Sequence, residues 1–128
     1  MKFHDQTKFG RKEGDCFNSC LASIINLPPD HIPFFMWTED WYERLTEWLK
    51  GLGYYPMQFE INETTLENMS HYGVYILSGK SPRSDVPYPA CLHAVLACGD
   101  EIIHDPHPSR DNLESYDDFI IIVKGINE

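Results

Sequence analysis

The sequence predicts an α+β fold in which N-terminal helices pack on a mainly antiparallel sheet. Three observations lead there. Strong helical periodicity lies ahead of residue 53, apolar extended runs dominate the rest, and one such run folds back through a two-residue glycine turn. Helices first and strands afterwards, without the alternation of βαβ units, is the order of an α+β domain.

The first helix is expected from Cys16 to Asn26. Apolar residues recur at Phe17, Leu21, Ile24 and Ile25, offsets of four, seven and eight that share one helical face. Gly14 and Asp15 precede it as a flexible turn and an N-cap, since a carboxylate there accepts the free N–H groups of the first turn. Pro28-Pro29 ends it, because the proline ring blocks continuation. Residues 1–15 read as an irregular polar arm, and Pro28 to Phe35 as a proline-punctuated loop. A second helix fits Glu39 to Leu52, with Thr38 as its cap and Trp41, Leu45, Trp48, Leu49 and Leu52 as its buried stripe. Gly51 and Gly53 supply the stop.

Beyond this the period changes. Tyr54 to Ile61 contains an extended run, Asn62 to Ser70 a short turn of helix, and Gly73 to Gly79 a buried strand bounded by glycines. Lys80 to Pro89 carries three prolines and mixed charge, as an exposed loop does. Cys91 to Cys98 and Glu101 to His104 flank Gly99-Asp100, a hairpin signal. Asp105-Pro106-His107-Pro108 breaks the second strand, and Asp118 to Lys124 closes the chain as a last buried strand.

The 128 residues suit one domain, 1–128, with a single core. A hydrophobic content of 42% places the chain among globular proteins. The formal charge of −10 repels phosphate backbones and anionic bilayers, so neither nucleic acid nor a membrane is expected as a partner. No apolar run follows the first charge, so Met1 to Gln6 does not begin a signal peptide. Four cysteines (16, 20, 91 and 98) without such a signal read as reduced thiols in a cytoplasmic setting.

The candidate chemistry starts at Cys16. At a helix N-terminus the macrodipole favours a thiolate over a thiol, the environment a nucleophilic cysteine needs. Such a thiol also needs a base, and the base a group that fixes its tautomer. His93 lies six residues before the Gly99-Asp100 turn and Asp105 five beyond it, so antiparallel pairing brings them to the same end of the hairpin. Packing of the first helix on that sheet would add Cys16.

Asp15-Cys16 opening a helix, a His93-Ala94-Val95-Leu96 strand, a short turn and a strand ending in His104-Asp105-Pro106 resemble the papain-like cysteine peptidase superfamily. The likeness is greatest to the peptidases that cleave leaders from bacteriocin precursors, and to small bacterial and phage proteins related to them. It spans roughly residues 6–27 and 90–108 plus the final strand. It implies a papain-like fold and a peptide or protein substrate, without a cofactor. Cys16 would be the nucleophile, His93 the general base and Asp105 its orienting group. Gln6 would be the glutamine of the oxyanion hole. Two positions depart from the pattern: Gln6 precedes Cys16 by ten residues, a wide gap, and Phe17 stands where a small residue is common.

Each residue also has a plainer reading. Cys16 could be a small buried hydrophobe, His93 a satisfied strand histidine, Asp105 a turn opener and Gln6 an ordinary polar residue. His104 and His107 read as exposed loop residues, and Glu114, Asp117 and Asp118 as a solvated face. Zinc held by Cys16, Cys20, Cys91 and His93 is a competing arrangement, but Cys16 and Cys20 lie within a helix and not on a zinc knuckle, so no metal is expected. The leading expectation is a thiol hydrolase of peptide, isopeptide or other amide bonds. The alternatives are an acyltransferase variant and a catalytically silent domain that binds and inhibits a basic protein partner.

Overall fold

The structure is a computed structural model, described for residues 1–9, 15–35, 38–61, 73–82 and 92–125. These contain helices α1 (Cys16–Ile25) and α2 (Trp41–Gly51), a single 3-10 turn at Pro29–His31, and five strands. The strands are β1 (Tyr54–Glu60), β2 (Val74–Lys80), β3 (Leu92–Cys98), β4 (Glu101–His104) and β5 (Ser115–Lys124). They form one antiparallel sheet in the order β1-β5-β2-β3-β4. The described residues are therefore α+β, two helices on a five-stranded antiparallel sheet, as the residue pattern predicts.

The helices bury the stripes that defined them. Phe17, Leu21 and Ile25 of α1 and Leu45 and Leu49 of α2 join Ile76, Leu96 and Ile120 of the sheet in one core. Each such side chain contributes about 1.5–3 kcal/mol of burial. Alternate residues of the same strands, Tyr75, Leu77, Val95, Ala97 and Phe119, form a second cluster, as the two-residue period of a strand requires. Trp41 and Trp48 pack against the main core. Leu52, expected in the stripe, falls past the end of α2 and is exposed.

Several boundaries move. α1 ends at Ile25 because Asn26 turns left-handed (φ 59°) and the Leu27 N–H returns to the Ala22 carbonyl at 3.2 Å, a Schellman-type closure. α2 starts two residues later than expected, with Asp40 in the cap position. Thr38 instead donates its hydroxyl to the Phe35 carbonyl and accepts Arg44 Nη1. Asp15 precedes α1 but does not cap it with its side chain. Its carboxylate is taken by the N–H groups of Thr7 and Lys8 and by the Thr7 hydroxyl, at 3.0–3.4 Å. Donors from the N-terminal arm outcompete those of the helix.

The last strand begins at Ser115, three residues before the expected start at Asp118, because Ser115 and Tyr116 pair with Lys80 and Gly79 of β2. The expected turn of helix at 62–70 lies outside the described residues, as do Gly14, Cys91 and 83–89 of the expected loop. Gly79 has a strict steric reason. A Cβ there would lie 1.7 Å from the Ser115 carbonyl oxygen. The two-residue turn at Gly99-Asp100 joins β3 to β4, with Gly99 at φ 63°.

Candidate active site

The hairpin brings His93 and Asp105 together. His93 Nε2–H donates to Asp105 Oδ1 at 2.7 Å, with the histidine 5% and the aspartate 3% exposed. Asp105 holds its place through three further bonds. Its Oδ1 also accepts the His107 N–H at 2.9 Å, its Oδ2 accepts the Asn112 N–H at 2.8 Å, and its carbonyl accepts Arg110 Nη1. A carboxylate is an acceptor only, so Nε2 must carry the proton in this bond and Nδ1 is the ring nitrogen left for another partner.

Cys16, the residue that opens α1, lies close enough to His93 to raise its ring. α1 reaches it because Leu21 and Ala22 seat the helix against Ala94 and Leu96 of β3. Burial works against a charged His93, but the Asp105 carboxylate and then Cys16 outweigh it and raise the ring to about 9. Burial likewise opposes a charged Asp105, but His93 and the two backbone N–H groups win and hold its carboxyl at about 2. The pair is thus built to stay charged at neutral pH.

The other thiols differ. Cys20 sits one turn along α1, fully enclosed, and burial pushes its thiol well above the ordinary value. Cys98 is exposed at the hairpin end. Of the cysteines described, Cys16 alone is placed against a base. Among the described residues, no group of three or more His, Cys, Asp or Glu side chains is placed to hold a metal.

Gln6 lies close by. Its backbone N–H donates to the Pro106 carbonyl at 3.0 Å, next to Asp105. Its Nε2 donates to the Lys8 carbonyl at 3.0 Å, which also accepts the Asp15 N–H at 3.2 Å. The amide and the residue that precedes α1 therefore share one acceptor, and the ten-residue gap in sequence narrows in space. Gln6 Oε1 is buried without a partner among the described residues. The second Nε2 hydrogen is available as a donor.

Sequence reasoning missed several contributors. His104 is a half-buried strand residue, not a loop residue, and donates to Asp5 at 2.9 Å while stacking on Phe3. His107 is also partly buried, edge-on to His93 at 6.3 Å between ring centres. Asp118 is half-buried rather than solvated, and burial raises its carboxyl against the bond from Gln58. Asn18, a polar residue on the buried side of α1, donates Nδ2 to the carbonyls of Ile32 and Pro33 and so ties the following loop to the helix. A polar residue inside an apolar stripe was the available signal for it. The backbone donors of His107 and Asn112 leave no signature in side-chain type.

No helix among the described residues is long and apolar enough to cross a membrane. No protein-family model, curated protein or solved structure matches the chain.

Proposed function

We propose that the chain is a papain-like thiol hydrolase acting on a peptide, isopeptide or other amide bond. One observation carries the reading: a buried His93–Asp105 pair with the thiol that opens α1 close enough to act on the ring. A nucleophile, its base and the group that orients the base are three parts with few other uses together.

The steps follow from those positions. The Cys16 thiolate, facing a His93 imidazolium, adds its sulfur to the substrate carbonyl carbon. As the first residue of α1, Cys16 has a backbone N–H without an intrahelical acceptor, suited to the oxyanion. Gln6 Nε2 is the candidate second donor. The tetrahedral adduct collapses, the C–N bond breaks, and His93 gives its proton to the departing amine. The thioester is then attacked by water as His93 takes back a proton, releasing the carboxylic acid and the thiolate. An amine in place of water would make the same site an acyltransferase. Asp105 keeps the ring in the required tautomer throughout.

Profiling the protein against a library of peptide, isopeptide and small-amide substrates tests this, with Cys16→Ala as control. Turnover that disappears in Cys16→Ala is expected. Absence of turnover across the library, combined with an unreactive Cys16, would overturn the hydrolase and favour a silent, partner-binding domain.

A further inference from the structure

Around the His93–Asp105 pair runs a set of contacts that the proposed reaction does not use. The Asp5 carboxylate accepts Arg110 Nη1 at 2.7 Å and Nη2 at 3.0 Å, and His104 Nε2 donates to it at 2.9 Å. Arg110 Nη1 also donates to the backbone carbonyl of Asp105 and, at 3.4 Å, to that of His107. One guanidinium therefore joins the N-terminal arm to the first residues of the loop that follows β4. Next to it, the Gln6 N–H meets the Pro106 carbonyl at 3.0 Å.

The turn needs such a fastening. Arg110 and Asn112 both adopt left-handed backbone, with φ of 56° and 64°, a conformation that side-chain-bearing residues rarely take unless their surroundings impose it. That path returns the Asn112 N–H to Asp105 Oδ2. Exposed ion pairs add little stability, and Asp5 and Arg110 are each about half exposed. A two-pronged pair supplies direction instead, since a planar guanidinium fits a carboxylate in one orientation where an ammonium does not.

We propose that Asp5 and Arg110 are positioning residues: their ion pair locks the loop from Asp105 to Asn112 in the conformation that aims Asp105 at His93. The catalytic consequence rests on the hydrolase reading above, while the geometric claim does not. Among the described residues, the charged or titratable groups around His93 are Asp105, Cys16 and, edge-on, His107, with Cys20 beyond Cys16 and the Asp5–Arg110–His104 set beyond Asp105.

The test uses the whole chain and two readouts. Histidine ring 15N shifts followed across pH report His93, assigned by its loss in His93→Gln, and iodoacetamide alkylation reports Cys16. Arg110→Ala and Asp5→Asn should each lower the His93 midpoint by about one pH unit and slow alkylation of Cys16 near neutrality by roughly tenfold. Arg110→Lys should recover only part of the shift. Lys80→Ala, which breaks another exposed ion pair at 3.2 Å to Glu114, should change neither. A His93 midpoint unmoved in folded Arg110→Ala and Asp5→Asn chains overturns the proposal, and so does unfolding of both, which would make the pair structural. The hydrolase reading fails separately. In that case wild-type Cys16 shows no enhanced alkylation, whatever the ring shifts do.

Discussion

His93 on β3 and Asp105, the residue just past β4, lie 2.7 Å apart and are almost fully buried. Twelve residues of chain thus deliver a charged base and its partner into the protein interior. Burial of two such groups is costly unless each is hydrogen-bonded in the charged form. Asp105 has the bonds, from His93, His107 and Asn112.

Replacing Asp105 by Asn keeps the volume and removes the charge. His93 then loses the partner that most strongly raises it and can adopt the wrong tautomer. Turnover should fall by roughly 10²–10⁴-fold, and the ring should titrate well below 9. Steady-state kinetics and histidine NMR check both.

The same pair sets how stability depends on pH. Asp105 titrates at about 2 in the folded chain against an ordinary 3.8, so its contribution is full above the ordinary value and is lost as pH falls toward 2. His93 is raised from 6.5 to about 9, so its contribution is full below 6.5 and is lost as pH rises through 9. Denaturant unfolding across pH should therefore show a plateau between these limits and a decline on either side. The Asp105→Asn chain should lose both slopes.

Gly79 pairs with His93 across β2 and β3, and any Cβ on it meets the Ser115 carbonyl oxygen at 1.7 Å. Backbone cannot yield as a side-chain end can. Gly79→Ala should destabilise the chain by about 2–3 kcal/mol, visible in chemical denaturation.

Asp15 fastens residues 7 and 8 rather than capping α1. Asp15→Ala should therefore leave helix content unchanged by circular dichroism while making the N-terminal arm quickly cleavable in limited proteolysis. Loss of α1 signal instead would restore the capping role.

Much of this architecture is legible along the chain, wherever the determinant is local. The α1 stripe, the Gly99-Asp100 turn and the counted distance from it to His93 and Asp105 all follow from neighbours in sequence. What stayed hidden depends on contacts between distant residues. Asp15 looks like a cap until the arm supplies nearer donors. Ser115 and Tyr116 look polar and irregular until β2 pairs with them. Asp5 and Arg110 lie 105 residues apart, and no local pattern marks either. The left-handed turns at Arg110 and Asn112 carry no glycine to announce them.

The central claim is that the sulfur opening α1 is activated by the base beside it. Its most direct test is the rate of iodoacetamide alkylation of Cys16 relative to exposed Cys98, resolved by peptide mass spectrometry from acid to neutral pH. Cys16 should react faster by about tenfold or more near neutrality, and His93→Ala should remove the advantage. Equal rates at the two cysteines, or an advantage that survives His93→Ala, would contradict it.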